Sequence, residues 1–238
     1  MKTKRNQIFA LLALGVFALA LSGCGGAIQT QTREVSGFDR LDISTFGEFI
    51  ITQGDTESLS IEGPAEYLRY LVSEVSSGTL TISQRRGLFS SPNSKVTFIL
   101  TVRNLESVSM SGAGSIKIGT LNTPALKLIM SGAGSVDMKN LTAETLDVTL
   151  SAAGAISVSG KVNSQNIILS GVGSYDAGDL ESKSARITLS GAGSATLWVS
   201  EALDANVTGV GSVAYYGSPT SITQNVSGLG SVRSAGTK

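Results

Sequence analysis

The sequence predicts an all-β protein, a right-handed parallel β-helix with rungs of about 20 residues, preceded by a β-rich portion with one short helix. A repeated motif, its nearly constant period and alternating apolar residues support this prediction. The string Ser-Gly-Ala-Gly-Ser occupies residues 111–115, 131–135 and 190–194, and variants start at Ser151, Ser170, Thr208 and Ser227. Successive starts lie 20, 20, 19, 20, 18 and 19 residues apart. Such a period is typical of a solenoid, whose rungs stack on one another.

Apolar residues alternate with polar ones on both sides of each motif. In the second copy they are Leu128 and Met130 before the glycines, and Val136 and Met138 after them. A period of two is that of a β-strand, so each rung should hold two strands and a short third segment. The right-handed coil follows from the general rule for parallel crossovers.

The motif glycines fall, by the same parity, on the inner side of a tight bend. There a Cβ would crowd the narrow interior, or a positive φ would be needed. The residue between the glycines should then point outward, although the opposite orientation stays open. The predicted outward column consists of Ala113, Ala133, Ala153, Val172, Ala192, Val210 and Leu229.

Charged residues at equivalent outward positions test the register of the stack. Lys127 should lie beside Asp147 on the next rung, and Arg186 beside Asp204. In another column, Lys117 should neighbour Asp137. Exposed pairs of this kind contribute only about 0.2–1 kcal/mol each, so they indicate the register rather than the stability.

The N-terminal portion, residues 35–104, is also rich in strands, and the repeats follow over residues 105–238. Strand patterns cover residues 38–43, 50–52, 58–62, 79–83 and 96–102. Residues 44–49 form a degenerate copy of the motif. A short helix is predicted over residues 64–71 because Pro64 is suited to a helix start.

The first 23 residues have the pattern of an export signal. Lys2, Lys4 and Arg5 precede a short apolar stretch, and Leu21-Ser22-Gly23-Cys24 resembles a bacterial lipobox. We therefore expect cleavage between Gly23 and Cys24, lipid on Cys24, and a tether over residues 24–34. The alternative is an ordinary signal peptide with a chance cysteine. By resemblance to other lipoproteins, the glycine after Cys24 favours transfer to the outer membrane, with the side it faces left open.

Charge and composition exclude several classes of function. The chain has 18 basic and 18 acidic residues, and removing the three basic residues of the signal leaves 15 against 18, or about −3. This balance argues against nucleic acid as a partner. The chain has no histidine and one cysteine, which removes Ser-His and Cys-His nucleophiles and most zinc and copper sites. We expect no enzyme activity, no metal and no cofactor other than the covalent lipid.

A loop near residues 84–93 is the candidate binding segment. It places Arg85 and Arg86 beside Leu88 and Phe89, a composition suited to contact with a protein or an anionic glycan. The alternative is that this loop folds over the end of the solenoid as a cap.

Acidic and aromatic clusters offer weaker candidates. The acidic residues could in principle act on a polysaccharide, but solvated rungs and turns explain them better. The aromatic residues form a surface patch or fill the last rungs. The clusters are Asp176, Asp179 and Glu181; Asp55, Glu57 and Glu62; and Trp198, Tyr215 and Tyr216.

Four ordered segments resemble a known family. They are residues 35–43, 53–55, 78–82 and 105–115, which read VSGFDRLDI, QGD, GTLTI and LESVSMSGAGS. Together they are similar to the "putative auto-transporter adhesin, head GIN domain" family, over roughly residues 35–235. The resemblance implies a β-helical envelope domain, often in lipoproteins, with no established catalytic residues.

Three hypotheses of function remain open. The first is a non-catalytic, lipid-anchored envelope protein whose β-helix presents a binding, adhesion or scaffolding surface to a protein, a glycan or a like chain in a homo-oligomer. The second is a carbohydrate-active β-helix enzyme, and the third is an envelope sensory or regulatory partner protein.

Overall fold

A computed structural model describes residues 28–85 and 95–238 of the chain. The predicted signal peptide, Gly23, Cys24 and the loop residues Arg86, Leu88 and Phe89 lie outside the described residues. Within them the protein is almost entirely β-structure, with eighteen strands and one short helix. No helix in the described part of the chain is both long and apolar enough to cross a membrane.

The N-terminal portion contains seven strands and the helix. They are β1 (Ile28–Arg33), β2 (Arg40–Ser44), β3 (Phe46–Gln53), β4 (Ser58–Pro64), α1 (Ala65–Leu68), β5 (Leu71–Ser76), β6 (Thr79–Gln84) and β7 (Thr97–Val102). The predicted strands and helix are confirmed, though α1 is only one turn long. It begins directly after Pro64, whose φ of −60° suits a helix start.

Two strands of this portion carry no alternating apolar signal. β1 is exposed and polar, and it pairs antiparallel with β4 as an edge strand. The prediction of a tether over residues 24–34 is therefore wrong for residues 28–33, because backbone hydrogen bonds hold an edge strand that buries few apolar side chains. β5 likewise pairs antiparallel with β6 at an edge.

The repeats form the remaining strands. They are β8 (Ser107–Met110), β9 (Ala113–Ile118), β10 (Leu121–Asn122), β11 (Ala125–Met130), β12 (Ala133–Leu150), β13 (Ala153–Leu169), β14 (Val172–Leu189), β15 (Ala192–Val207), β16 (Val210–Tyr216), β17 (Ser221–Val226) and β18 (Leu229–Gly236). Each of the longest strands, β12 to β15, covers most of a rung. The predicted β-solenoid with rungs of about 20 residues is confirmed.

The rungs stack in parallel and in the predicted register. Lys127 lies opposite Ser107 on one side and Asp147 on the other. Arg186 lies opposite Asp204. The second glycine of each motif also stacks on its equivalents, as Gly134 does on Gly114. Equivalent positions of every copy therefore form continuous columns along the solenoid.

The N-terminal portion belongs to the same stack, although its rungs are not in chain order. The degenerate motif aligns with the first clear repeat, with Gly47 opposite Gly114, so β2 and β3 lie directly against β8 and β9. β6 and β7 lie on the other side of β2 and β3. The two halves therefore share one continuous hydrophobic core.

Columns of apolar side chains fill the interior. One column runs through Val108, Leu128, Val148, Ile167, Ile187 and Ala205, all buried. In the N-terminal rungs the rings of Phe49 and Phe98 stack with centroids 4.3 Å apart. This core gives the solenoid a defined outer surface on which a binding site can be built.

Candidate binding surface

The motif column is a ridge on the outside of the solenoid. The residue between the glycines is exposed in every copy, by 65% at Val172 and 85% at Leu229. The predicted outward orientation is confirmed. Repeated backbone hydrogen bonds support the ridge, because the N–H of Ala133 donates to the Gly112 carbonyl at 3.1 Å and that of Ala192 to the Gly171 carbonyl at 3.1 Å.

The motif glycines lie where a Cβ would be crowded, mainly by the backbone of the neighbouring rung. A Cβ placed on Gly132 would lie 1.8 Å from the Gly112 carbonyl oxygen on the preceding rung. Gly211 and Gly193 have the same relation, at 1.9 Å. Interior side chains are crowded at other copies, since a Cβ on Gly173 would lie 2.9 Å from Leu150, and the predicted positive φ occurs at Gly114 and Gly134. The nearest obstacle in most copies is nevertheless the backbone of the neighbouring rung.

A shallow groove crosses five neighbouring rungs on another part of the surface. Its volume is about 470 Å³. Two outward columns line most of it: Thr145, Ser164, Ser184, Ala202 and Ser221 in one, and Asp147, Asn166, Arg186, Asp204 and Thr223 in the other. With rungs about 4.8 Å apart, the groove extends roughly 20 Å along the stack.

Charges of both signs lie within this groove. The Arg186 Nε is 3.0 Å from the Asp204 Oδ2, so that predicted pair is formed. The Asp147 carboxylate accepts a hydrogen bond of 3.3 Å from the Asn166 side chain. The groove thus offers hydroxyl, amide, carboxylate and guanidinium groups to an extended polar ligand.

A second charged cluster lies on the N-terminal rungs. The Lys117 Nζ is 2.7 Å from the Glu48 carboxylate, which also pairs with Lys95. Asp137 neighbours Lys117 in register as predicted, but Lys117 bonds to the carboxylate on its other side. Glu48 is only 12% exposed, and its hydrogen bonds to Lys117 and Lys95 lower the pKa of its carboxyl.

The predicted binding loop precedes Lys95 of this cluster in the chain. Arg85 is exposed, and its backbone N–H donates to the Tyr70 carbonyl at 2.9 Å. The loop lies between β6 and β7 in the chain. Arg86, Leu88 and Phe89 lie outside the described residues, so binding by this loop stays a prediction.

The acidic clusters do not converge on a common point. Asp176 accepts a hydrogen bond from the Gly178 N–H at 3.2 Å, and Glu181 pairs with Lys161 at 3.0 Å. Near the N-terminus, Glu57 accepts a bond from the Gly37 N–H at 2.7 Å. Among the residues that the structure describes, no three His, Cys, Asp or Glu side chains group closely enough to hold a metal ion.

The three aromatic residues of the last rungs separate into two environments. Tyr215 points inward and is 8% exposed, so it fills the core. Trp198 and Tyr216 lie opposite each other on adjacent rungs and are half-buried on the outer surface. Both sequence hypotheses for this cluster are therefore correct for part of it.

A protein-family model matches residues 37–219 of the chain. Its description is "Putative auto-transporter adhesin, head GIN domain". The match spans most of the chain and includes the degenerate motif and six of the seven clear copies. The chain belongs to this family. No curated protein matches the chain.

Solved structures share the fold of this head GIN domain protein. A "putative adhesin" from Bacteroides fragilis is 26% identical, with a TM-score of 0.83 over 88% of this chain and 98% of the other. A "putative adhesin" from Parabacteroides distasonis is 16% identical, with a TM-score of 0.65 over 88% and 98%. A "putative lipid binding protein" from the same species is 21% identical, with a TM-score of 0.60 over 87% and 97%. The last two show similarity of fold alone.

The groove was not predicted from the sequence of this head GIN domain protein. Its columns were visible as polar residues in a common phase, and the Arg186–Asp204 pair lay among them. The phase did not show that the column from Thr145 to Ser221 borders the same concave surface as the column from Asp147 to Thr223.

Proposed function

We propose that this protein is a non-catalytic, lipid-anchored envelope protein that uses the outside of its β-solenoid for adhesion. Family membership and the similarity to the Bacteroides fragilis protein support an adhesion or binding role. The lipobox-like segment ending at Cys24 supports anchoring. The two together describe a rigid stack held at a membrane by its N-terminus, with the outer membrane as the favoured location.

The five-rung groove is the observation that carries the adhesive role. Hydrogen-bonding groups of several kinds follow one line along the stack there, over five rungs. A linear ligand, such as an extended glycan, can make polar contacts with each successive rung. Weak contacts repeated in this way add up to useful affinity.

The anchor is tested by replacing the lipidated cysteine. Cys24→Ser should move the protein from the membrane fraction to the soluble envelope fraction, because no thiol remains for the diacylglyceryl group. The purified variant should keep the circular dichroism and unfolding midpoint of the native protein. A variant that still sediments with membranes contradicts the anchor.

The groove is tested by binding to immobilised envelope polysaccharides and intact cells. The double variant Arg186→Ala with Asp204→Ala should weaken binding by about tenfold, since it removes both charged groups from the centre of the groove. Lys139→Ala is the matched control, because Lys139 is exposed and lies outside the groove. Equal losses in both variants, or no loss in either, would contradict a role for the groove.

The same assays separate the two rival functions. A carbohydrate-active enzyme would release soluble products from the polysaccharides, whereas an adhesin would retain them unchanged. The carboxylates in the groove, Asp147 and Asp204, are each engaged by a neighbouring side chain, which argues against a pair that acts on one bond. Crosslinking in intact cells would identify the partner expected of a sensory or regulatory protein.

A further inference from the structure

The register between neighbouring rungs shifts at several places, and the largest shift lies on the outer surface of the last rungs. Ala177 of β14 lies opposite Leu197, but the next pair joins Glu181 to Trp198. β14 therefore bulges by three residues, 178–180, beside Trp198. A bulge of this kind redirects backbone groups that would otherwise pair with the next rung.

The bulge holds two oxygen acceptors next to an aromatic surface. The carbonyl of Gly178 and the carboxylate of Asp179 face the outer side of the stack, where Trp198 and Tyr216 lie opposite each other on adjacent rungs. A side chain at Gly178 would come within 3.5 Å of the Tyr216 ring and 3.2 Å of Thr196. The small residue thus keeps the space between the bulge and the rings open.

A positive charge fills this space. The Lys238 Nζ lies 5.0 Å from the centre of the Tyr216 ring and 5.5 Å from that of Trp198. It donates a hydrogen bond of 2.6 Å to the Gly178 carbonyl and pairs with the Asp179 carboxylate. Two aromatic faces, a carbonyl and a carboxylate therefore surround one ammonium group, and each of these attracts a cation.

The chain takes an unusual course to bring Lys238 to this point. Gly236 has φ of +102°, a conformation that favours glycine, and its carbonyl accepts a 3.0 Å hydrogen bond from the Gly217 N–H. Beyond this turn, Lys238 crosses from the rung of β18 to that of β14. Its side chain is 30% exposed, so one part of the ammonium site still opens to solvent.

We propose that Gly178, Asp179, Trp198 and Tyr216 form a binding site for a primary alkylammonium group of the kind that a lysine side chain carries, and that Lys238 is its occupant in cis. A primary ammonium has three N–H donors, of which two are used by Gly178 and Asp179. A quaternary ammonium has none, and so would keep only the attraction to the rings and the carboxylate. An incoming lysine side chain would replace Lys238 by exchange.

Tryptophan fluorescence tests the proposal directly, because Trp198 is the only tryptophan of the chain. The purified mature protein carrying Lys238→Ala is titrated with Nα-acetyl-lysine methylamide. We expect a saturable change in emission. The native protein should need roughly ten times more ligand, if Lys238 fills the site about nine-tenths of the time. If the Lys238→Ala variant folds poorly, the titration of the native protein still tests whether the site binds the ligand.

Matched ligands and variants distinguish a binding site from a purely structural contact of Lys238. The Nε-acetylated ligand, which is neutral, should give no saturable change, and tetramethylammonium should bind more weakly than the primary amine. Adding Asp179→Asn to Lys238→Ala should weaken binding at least threefold, whereas Asp137→Asn on a distant rung should not. No saturable response in either protein, or equal responses to the charged and neutral ligands, would overturn the proposal.

The outcome is independent of the proposed adhesive function. The ammonium site shares no residue with the five-rung groove or with the lipobox segment. If the proposed ammonium site does not bind an external ligand, Lys238 has only a structural contact with it. The tests of anchoring and of polysaccharide binding are not affected.

Discussion

At the scale of single residues, the repeated glycines set how closely the rungs approach. A Cβ on these glycines would lie against the carbonyl oxygens of the preceding rung; the third copy alone has an alanine, Ala152, at the first position. Their main role is therefore to allow close backbone contact between rungs. The repeat of this one contact along the stack explains why the motif recurs with so little variation.

Gly132→Ala and Gly119→Ala form a matched pair that tests this contact. An alanine at 132 places a Cβ 1.8 Å from the Gly112 carbonyl oxygen, whereas nothing lies within 4 Å of a Cβ at 119. We expect Gly132→Ala to lower the free energy of unfolding by about 2 kcal/mol or more, and Gly119→Ala to change it by about 0.5 kcal/mol or less. Urea unfolding measures both, and equal effects would contradict the account.

The carboxyl of Glu48 should make the free energy of unfolding depend on pH. Hydrogen bonds from Lys117 and Lys95 lower the pKa of its carboxyl from the ordinary 4.5. Its contribution to folding is therefore complete above pH 4.5 and is lost as the pH falls through the lowered pKa. Glu48→Gln should destabilise the protein clearly at pH 7 and much less at pH 3, in urea unfolding at each pH. The exposed residue Glu106 provides the control, Glu106→Gln. If Glu48→Gln lowered the free energy of unfolding equally at pH 7 and pH 3, the prediction would be refuted.

At the scale of strands and rungs, stacking is supported by polar contacts as well as by the apolar columns. The Tyr175 hydroxyl donates to the Gln165 Oε1 at 2.9 Å, and the Gln165 amide donates to the Ser182 hydroxyl at 2.9 Å. Ser182 in turn donates to the Trp198 carbonyl at 2.7 Å. This buried chain of bonds joins β13, β14 and β15. Burial raises the pKa of Tyr175, which keeps its phenol a neutral donor.

Tyr175→Phe removes the first donor of this chain. The Gln165 carbonyl oxygen, in a residue that is 2% exposed, then loses its partner. We expect a loss of about 1–3 kcal/mol in the free energy of unfolding, because a buried acceptor without a donor bears its full desolvation cost. Tyr70→Phe, at a half-exposed position, should change it by less than about 0.5 kcal/mol. Similar values for the two variants would show that the chain of bonds contributes nothing.

At the scale of the whole molecule, the two ends of the stack differ. At the N-terminal end, α1 packs Tyr67 and Leu68 into the core. At the other end, β17 is exposed along its whole length, including Ile222 and Val226. Two inward positions of this last rung are polar, Gln224 and Ser234, where the preceding rung has Ala205 and Tyr215. The last rung therefore acts as a terminal cap with a partly polar face.

Removing the last rung should expose the apolar core. A chain that ends at Gly217 lacks β17 and β18, and it uncovers Leu203, Val207 and Val213, which are at most 2% exposed in the complete stack. We expect self-association, detected by light scattering, and a lower unfolding midpoint. Leu229→Ser is the control, because it removes an outward side chain without uncovering the core. Unchanged scattering and midpoint in the truncated chain would contradict the capping role.

The sequence by itself determined the all-β class, the rung length, the register of the columns and the outward direction of the ridge. These features follow from local rules, since side chains alternate along a strand and parallel rungs repeat at a fixed spacing. A period of 18 to 20 residues therefore predicted that Lys127 lies opposite Asp147, and Arg186 opposite Asp204.

Only the tertiary structure decided which rungs and surfaces meet outside that regular repeat. It placed β6 and β7 on the far side of β2 and β3, and it paired Lys117 with Glu48. It also formed the five-rung groove and brought Lys238 to Trp198. The physical reason is that each of these contacts joins segments that differ in phase or lie far apart in the chain, and only the packed stack brings them together.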